Sequence, residues 1–241
     1  MKISRELNLF INYILNEIIP PILRDSRLFR PLFRLFFGKK YHLFWDFRKN
    51  VYKMTDEEFR QINIEISDLI IRRDTDLNKR CVEEILKEVK NKNVLEVGCG
   101  SGYLAKKLSK NNKVTAVDIN IGKELKNLES ETLSLFEASA EILPFADKVF
   151  DVVICTHTLE NVRYISKALS ELRRLARSKL IIVFPKERPY LFCPNLHIHF
   201  FPYEFSVFAV MGVFKNQELK NIGGDWYYKE NYNLIQKDEH L

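Results

Sequence analysis

The sequence predicts an α/β fold in which a doubly wound sheet follows a helical N-terminal extension. From residue 76 onward, short apolar stretches alternate with stretches of helical periodicity, the order typical of parallel strands joined by helices. Before that point the alternation is absent, and apolar residues such as Leu7, Ile11 and Ile14 recur at helical spacing. We therefore divide the chain into an extension, residues 1–75, and an α/β domain, residues 76–241.

Each element of the domain follows from its own pattern. The fourth predicted strand is a nearly unbroken apolar run, which indicates a strand covered on both faces of a sheet. In the extension, Thr55 and Glu58 form a capping box that opens a helix through about Ile71. The predicted strands are Asn93–Val97, Lys113–Asp118, Thr132–Ala138, Val149–Cys155, Lys179–Phe184, Gln217–Ile222 and Asn231–Lys237. The predicted helices of the domain are Leu77–Lys90, Gly102–Lys110, Gly122–Leu128, Ile165–Ala176 and Tyr203–Met211.

Composition limits the classes of protein and of site. The chain has 241 residues, enough for one substantial domain and an extension. Its 4 cysteines are far apart and form no CxxC pair, which favours free thiols in a reducing compartment over a zinc site or disulfide framework. No apolar run reaches bilayer length, and Asn8, Asn12 and Glu17 interrupt any secretory segment. A cytoplasmic location is expected.

The positive charge is concentrated in residues 22–53. This segment holds nine basic residues and two acids, a net +7, whereas the whole chain carries +6, so the remainder is near −1. Aromatic residues, among them Phe33, Phe36 and Phe37, alternate with the arginines. Three interpretations remain open: a folded lid, peripheral contact with the inner face of an anionic membrane, or contact with nucleic acid. We rank membrane or lipid-linked partners above nucleic acid.

One motif carries most of the chemistry. The mostly apolar strand Val94–Val97 leads into a glycine-rich turn, with Glu96 two residues before the first glycine, and the glycines have the spacing Gly98-x-Gly100-x-Gly102. This is neither the GxGxxG of dinucleotide folds nor a GKS/GKT phosphate loop. Asp118 ends the next strand, twenty residues after Gly98. In a doubly wound sheet that position places a carboxylate beside the first turn, where it accepts both hydroxyls of a ribose.

Together these segments resemble a known family. VLEVGCGSG, followed by TAVDI, ASAEILPF, FDVVICTHTLENV and ALSELRRLARSKLIIVFP, is similar to the class I S-adenosylmethionine-dependent methyltransferases, and within them to the type 11 group. The match runs from Leu77 to Pro185 and leaves the extension out. The resemblance implies a Rossmann-like, seven-stranded sheet with the last strand antiparallel, S-adenosylmethionine as cofactor, and methyl transfer as the activity.

The resemblance also implies a cofactor-binding set. Glu96 would hold the methionine ammonium and Asp118 the ribose diol. Ser139 stands where the family often has Asp or Asn, so adenine recognition would depend more on the Ala140 backbone N–H. The full set is Glu96, Gly98, Cys99, Gly100, Gly102, Asp118, Ile119, Ser139, Ala140 and Thr156.

Catalysis by such a site asks little of the side chains, because aligning the nucleophile with the methyl group supplies most of the acceleration. A hydroxyl acceptor would benefit from a general base, and His157 and His199 are the candidates. His157 has the alternative role of lining the cofactor pocket, and His199 that of a substrate lid. Glu160 is a weaker base candidate. No cysteine or acid completes a set of metal ligands with His197 and His199, so no metal site is predicted.

The residues after the fourth strand narrow the acceptor. Enzymes that methylate exocyclic amines of nucleobases commonly carry NPPY or DPPY there, whereas this chain has Thr156-His157-Thr158. We expect a hydroxyl on a small molecule, a sugar or a lipid-linked intermediate. An RNA methyltransferase and a cofactor-binding protein without turnover are the alternatives.

Overall fold

The computed structural model describes most of the α/β domain and the second half of the extension. The described residues are 13–14, 18–24, 26–27, 31, 34–35, 38, 41–67, 75–189 and 196–232. The strands are β1 Asn93–Val97, β2 Lys113–Asp118, β3 Leu133–Glu137, β4 Phe150–Thr156, β5 Ala176–Pro185, β6 Gln217–Ile222 and β7 Asp225–Asn231. The helices are α1 Pro21–Arg24, α2 Tyr41–Asn50, α3 Asp56–Ser67, α4 Lys79–Glu88, α5 Tyr103–Leu108, α6 Lys123–Lys126, α7 Ile165–Leu175 and α8 Glu204–Met211.

The seven strands form one sheet in the order β3-β2-β1-β4-β5-β7-β6. Strands β1 to β5 are parallel, and β7 is antiparallel to both β5 and β6. The predicted Rossmann-like, seven-stranded sheet with an antiparallel last strand is thereby confirmed. Because β7 runs in the opposite direction, its first residue lies beside the last residues of the parallel strands; Asp225 pairs with Pro185. We call this side of the sheet the carboxyl edge.

Both faces of the sheet are buried. Leu95 and Val97 of β1 face a core cluster that includes helix α7, whereas Val94 faces a second cluster that includes α4 and α5. Successive side chains of a strand point to opposite faces, so a strand covered on both sides needs apolar residues at nearly every position. Glu96 therefore lies on the same face as Val94, and its burial requires a physical explanation.

The last strand differs from its prediction. The predicted strand is Asn231–Lys237, but β7 is Asp225–Asn231, and residues from 233 onward lie outside the described part. Gly223 and Gly224, with φ of +61° and +93°, join β6 to β7 in a two-residue turn, the connection that favours adjacent glycines. The aromatic residues that follow this turn pack well in a sheet. The glycine pair was the signal that the sequence analysis missed.

The second half of the extension packs on the domain. The predicted capping box is present: the Thr55 N–H donates to Glu58 Oε2 over 2.7 Å, and the Glu58 N–H donates to Thr55 Oγ1 over 3.2 Å. We call residues 41–67 the cover. Its apolar side chains form a separate cluster whose members include Phe47, Val51, Phe59, Leu196 and, partly buried, Ile119 and Ile198.

Other expectations for the extension fall outside the described residues. These are the aromatic side chains of Phe29, Phe33, Phe36, Phe37, Phe44 and Trp45, and most of the first helix. In the part that the structure describes, no helix combines the length and apolar character needed to cross a bilayer.

Candidate active site

The glycine turn, residues 98–102, follows β1 at the carboxyl edge. The N–H groups of Gly98 and Cys99 both donate to the Val117 carbonyl of β2, over 2.7 and 3.0 Å. All three glycines have positive φ, between +53° and +76°. A Cβ on Gly102 would lie 2.5 Å from Leu125 Cδ1, whereas a Cβ on Gly100 would meet no described atom within 4 Å. Gly102 thus allows internal packing, and Gly100 faces open space.

Gly98 also has an internal neighbour. A Cβ built there would lie 2.6 Å from Cγ2 of Thr158, a residue of the turn after β4. The Thr158 hydroxyl donates to the Thr156 carbonyl over 3.0 Å and to the Val97 carbonyl over 3.3 Å. Two turns, one after β1 and one after β4, therefore pack directly on each other.

Glu96 is buried with an unsatisfied oxygen. The residue is 2% exposed, and its Oε2 has no hydrogen-bond partner among the described residues. Burial, and then the charge of Asp118, raise the pKa of Glu96 to about 8, against the opposing backbone N–H of Ala105. An acceptor oxygen held away from water without a donor is costly. The site is electrostatically suited to a ligand that carries a positive group.

Asp118 lies at the end of β2, across the glycine turn. Its Oδ2 accepts the Gly100 N–H over 2.8 Å, and its Oδ1 accepts the Asn120 N–H over 3.2 Å. Burial raises the pKa of Asp118, although these backbone N–H groups favour its charged form. The next residue, Ile119, packs in the cluster of the cover. The Asp118 carboxylate and the Ile119 side chain thus come from adjacent residues. This is the arrangement expected if the carboxylate binds a ribose and the apolar side chain packs against an adenine ring.

The remaining cofactor candidates lie along the same edge. Ser139 follows β3, and its Oγ accepts the Glu141 N–H over 3.2 Å, while Ala140 packs against the main core. Thr156 is the last residue of β4. Burial, followed by the charges of Glu96 and Asp118, raises the pKa of the Cys99 thiol, so Cys99 stays protonated. The predicted set is thus brought to the ends of β1 to β4; its role in binding stays a prediction.

His157 has a partner at each ring nitrogen. Its Nε2 lies 3.4 Å from Asp225 Oδ2, and its Nδ1 lies 3.6 Å from Glu160 Oε1. Burial alone would lower the pKa of His157, but the hydrogen bond to Asp225 and the charges of Asp225, Glu160 and Asp76 outweigh it and raise the pKa to about 9. The ring is therefore protonated at neutral pH. A protonated imidazole accepts no proton, which disfavours the predicted role of His157 as general base.

Glu160 lies between two imidazoles. It is 0% exposed, and neither carboxylate oxygen has a hydrogen-bond partner within the described ranges. His197 Nε2 lies 3.9 Å from Glu160 Oε1, while His197 Nδ1 lies 2.8 Å from Glu187 Oε2. Burial raises the pKa of Glu160, although the charges of His197 and His157 oppose the shift. Asp225, His157, Glu160, His197 and Glu187 thus alternate as acid and base; we call them the acid–imidazole series.

His199 has a different environment. Its Nε2 lies 3.0 Å from the Val162 carbonyl, and burial lowers the pKa of His199 although backbone hydrogen bonds oppose the shift. The ring is neutral at pH 7, with Nε2–H as donor and Nδ1 as acceptor. Of the two predicted catalytic histidines, His199 is in the state that a general base needs.

Sequence reasoning did not identify Asp225 or Glu187 as members of the site. Both are distant in sequence from His157, and Asp225 reaches the carboxyl edge only because β7 is antiparallel. Among the residues that the structure describes, no three histidine, cysteine or acidic side chains are grouped as ligands of a metal ion.

The cover is fixed to the domain by two arginines. Arg48 Nε donates to the His197 carbonyl over 2.6 Å, and its guanidinium lies 5.0 Å from the centre of the Phe200 ring. Arg163 donates to the Met54 carbonyl over 2.8 Å and pairs with Asp56. The cover therefore contacts the 196–200 loop on one side and, through its apolar cluster, Ile119 on the other.

Comparison with known proteins finds similarity to methyltransferases. Residues 95–184 match a family model described as a methyltransferase domain. The ubiquinone/menaquinone biosynthesis C-methyltransferase UbiE of Rickettsia prowazekii is 36% identical over 101 residues, which cover 36% of this chain and 41% of that protein. Malonyl-[acyl-carrier protein] O-methyltransferase of Buchnera aphidicola is 35% identical over 97 residues, or 39% of each chain. The match spans less than half the length of either relative.

Solved structures show the same fold. Magnesium protoporphyrin IX methyltransferase (ChlM) from Synechocystis PCC 6803, with bound SAH, has a TM-score of 0.51 and 15% identity, and the match covers 72% of this chain and 95% of that one. At this identity the likeness concerns the fold alone. The matched residues 95–184 contain most of β1, all of β2 to β4 and most of β5, which are the strands that carry the glycine turn, Glu96 and Asp118. Over these residues, which are less than half of the chain, the protein is similar to methyltransferase domains.

Proposed function

We propose that this protein binds S-adenosylmethionine at the ends of β1 and β2 and transfers the methyl group to a hydroxyl of a small molecule, a sugar or a lipid-linked intermediate. The observation that carries the proposal is the unpartnered, buried Oε2 of Glu96 beside Asp118. Two carboxylates with raised pKa values at one turn suit a cofactor that brings an ammonium and a ribose diol and carries no phosphate.

Each residue has a role that its surroundings support. Glu96 receives the ammonium, and Asp118 exchanges the Gly100 N–H for the ribose hydroxyls. Ile119 packs against the adenine ring beneath the cover. Ser139 and Ala140 contact the edge of the adenine, and the chain at Thr156 lies beside the methionine part of the cofactor. The bound cofactor supplies an electrophilic sulfonium methyl group. The cover and the apolar ends of the strands exclude water from it.

His199 is the proposed general base. Transfer to a hydroxyl oxygen releases a proton, and a neutral histidine with a fixed tautomer accepts it. The Val162 carbonyl holds His199 Nε2–H and leaves Nδ1 to receive the proton. C-methylation, which the name of UbiE states for that relative, is the competing outcome, and product analysis distinguishes it from O-methylation.

The first experiment is calorimetric titration of the protein with S-adenosylmethionine. We expect Asp118→Ala to lose at least about tenfold in affinity, the effect of removing roughly 1.4 kcal/mol of binding free energy, with an unchanged circular dichroism spectrum. The matched control is Glu83→Ala, which removes an exposed acid of α4. Equal affinity in wild type and Asp118→Ala would refute the assignment of the ribose site.

The second experiment measures transfer. Labelled methyl groups are followed into the lipid, sugar, RNA and protein fractions of a lysate, and the product is analysed for O-methyl or C-methyl groups by mass spectrometry. We expect label in a lipid or sugar fraction, and a slower turnover in His199→Ala at saturating cofactor. Label in RNA supports the RNA methyltransferase alternative; binding without transfer into any fraction supports a non-catalytic protein.

A lipid-linked acceptor also predicts peripheral membrane contact through residues 22–53. Ile22 is 82% exposed and Leu35 is 79% exposed, and exposed Arg27 and Arg34 lie nearby in the sequence. Apolar side chains beside arginines suit an anionic interface. We expect co-sedimentation with phosphatidylserine vesicles and less with phosphatidylcholine vesicles, and a reduced fraction bound for Leu35→Ser. Retardation of RNA with no vesicle binding would favour a nucleic-acid partner. Binding to neither would leave only the interpretation of this segment as a folded lid.

A further inference from the structure

The acid–imidazole series connects three segments of the carboxyl edge. Asp225 begins β7, His157 and Glu160 lie in the turn after β4, and His197 belongs to the 196–200 loop. The backbone strengthens the connection, because the Glu160 carbonyl accepts the N–H groups of Ile198 and His199 over 2.6 and 3.1 Å. The turn after β4 is thus held from β7 on one side and from the loop on the other.

The backbone at His157 adopts a left-handed conformation. Its φ is +50°, a region that residues with a Cβ avoid unless their surroundings hold them there. Two contacts do so: the His157 N–H donates to the Val183 carbonyl over 3.0 Å, and the imidazole lies between Asp225 and Glu160. The side-chain contacts therefore hold a strained turn.

This turn determines the position of the next residue, Thr158. Thr158 occupies the space above Gly98, and its hydroxyl donates to the Val97 carbonyl at the end of β1. A change in the backbone of His157 would move Thr158 away from the glycine turn. The path from the acid–imidazole series to the cofactor site therefore passes through one side chain in direct contact with Gly98.

We infer that His157 is a positioning residue: its imidazolium, held between Asp225 and Glu160, keeps Thr158 against the glycine turn and thereby sets the affinity for the cofactor, with no part in proton transfer. This inference rests on the proposed function. It assigns to Asp225 and Glu160 the task of fixing His157, and to His157 the task of fixing the turn.

The charge of His157 is maintained from several elements. Asp225 of β7, Glu160 of the same turn and Asp76 before α4 favour its protonated form, and His197 and Glu187 extend the series behind Glu160. With a pKa of about 9, the imidazolium loses its proton in alkaline solution. The contact with both acids then weakens, and the turn is released.

The test compares wild type with His157→Asn across pH 7 to 10. Asn tolerates the left-handed conformation but carries no charge, so the variant removes the ion pairs without forcing a new backbone. Affinity for S-adenosylhomocysteine is measured by calorimetry at each pH. We expect His157→Asn to bind S-adenosylhomocysteine about 5-fold to 150-fold more weakly at pH 7, the range of ordinary coupling between sites. We also expect the variant to lack the part of the affinity decrease at alkaline pH that comes from deprotonation of His157.

The difference between the two proteins is the measured quantity. The ligand's own amino group also loses its proton in this pH range, and that contribution is common to both. A second variant, Asp225→Asn, removes the acid that contributes most to raising the pKa of His157 and should shift the wild-type decline to lower pH. Glu83→Gln, an exposed acid outside the series, should behave as wild type.

Transfer kinetics separate positioning from catalysis. At saturating S-adenosylmethionine, His157→Asn should retain kcat while its KM for the cofactor rises. Unchanged affinity at pH 7, or a loss of kcat with unchanged KM, would overturn the inference. Failure of the wild-type protein to bind the ligand at any pH would instead refute the proposed function.

Discussion

Two glutamates are buried at the same edge of the same sheet, and each leaves carboxylate oxygen without a hydrogen-bond partner among the described residues. They differ in what surrounds them. Asp118, another acid, acts on Glu96, whereas Glu160 lies between two imidazoles, those of His157 and His197. We refer to the ends of β1 and β2 as the cofactor half, and to the ends of β4, β5 and β7 as the acceptor half.

The difference shows how the two halves balance buried charge. A buried carboxylate without a counter-ion costs folding free energy. In the acceptor half the protein provides the counter-ions itself, so that half is electrostatically complete. In the cofactor half Glu96 has none, and it keeps its proton up to about pH 8. The ammonium of the proposed cofactor would be the counter-ion that allows Glu96 to ionise.

The largest effect is expected where the two halves touch. Gly98→Ala adds a Cβ against Thr158 and places it at positive φ, so we expect a loss of about 2–5 kcal/mol in the free energy of unfolding. Gly100 also has a positive φ but faces open space, so only about 1–2 kcal/mol should be lost in Gly100→Ala. Urea denaturation of both variants measures the difference. Equal losses of unfolding free energy in the two variants would show that the contact between Gly98 and Thr158 does not stabilise the packing of the two turns.

The second prediction is a change in the free energy of unfolding that has opposite signs in the two halves. Without ligand at pH 8, Glu96→Gln should raise the free energy of unfolding by about 1–3 kcal/mol, because it removes a buried carboxyl that is less easily ionised in the folded state than in the unfolded state. Glu160→Gln should lower it by about 1–3 kcal/mol, because His157 and His197 lose the acid that lies between them. Thermal denaturation gives both values. Stabilisation by both substitutions would remove the distinction between the halves.

The third prediction concerns pH. The pKa of His157 rises from 6.5 to about 9 on folding, so its stabilisation is complete below 6.5 and is lost as the pH rises through about 9. The pKa of Glu96 rises from 4.5 to about 8, so the folded state keeps a proton that the unfolded state releases, and stability falls between these values. Both groups lower stability with rising pH, but over different ranges.

Variants separate these two ranges. In a series of urea denaturations, Glu96→Gln should reduce the decline between pH 4.5 and 8, and His157→Asn should reduce the decline between pH 6.5 and 9. A wild-type stability that rises between pH 5 and 8 would contradict both assignments.

The smallest effect is expected outside both halves. Asp56 of the cover pairs with Arg163 but its side chain is 95% exposed. Asp56→Asn should therefore change the free energy of unfolding by at most about 1 kcal/mol, and leave cofactor affinity unchanged within threefold. Denaturation and calorimetry check this. A larger loss would mean that ion pairs in general, and not buried charge, determine stability at this edge.

The sequence was sufficient for the cofactor half. The strand bounds Asn93–Val97 and Lys113–Asp118 agree with the structure, because apolar runs and glycines are local signals. The carboxylates fall at strand ends that the motif itself defines. Sequence spacing alone therefore brought Glu96, Gly98 and Asp118 together.

The acceptor half was harder to predict because its contacts are distant in sequence. Only His157 and Glu160 lie near each other along the chain. Asp225 joins them through an antiparallel strand that was predicted too late, and Glu187 joins through His197. The charge states depend on burial as well, since His157 and His199 are the same residue type with pKa values shifted in opposite directions.

The position of β7 has a consequence for synthesis. β7 is the last of the seven strands in the chain, yet it pairs with β5 on one side and β6 on the other. While the nascent chain emerges, β5 can pair with β4 on one side, but its other side, next to apolar residues such as Ile182 and Phe184, stays unpaired until residues 225–231 arrive. An unpaired apolar strand edge is a site of aggregation. The interval between the synthesis of β5 and that of β7 is thus the period in which this strand edge is open to aggregation.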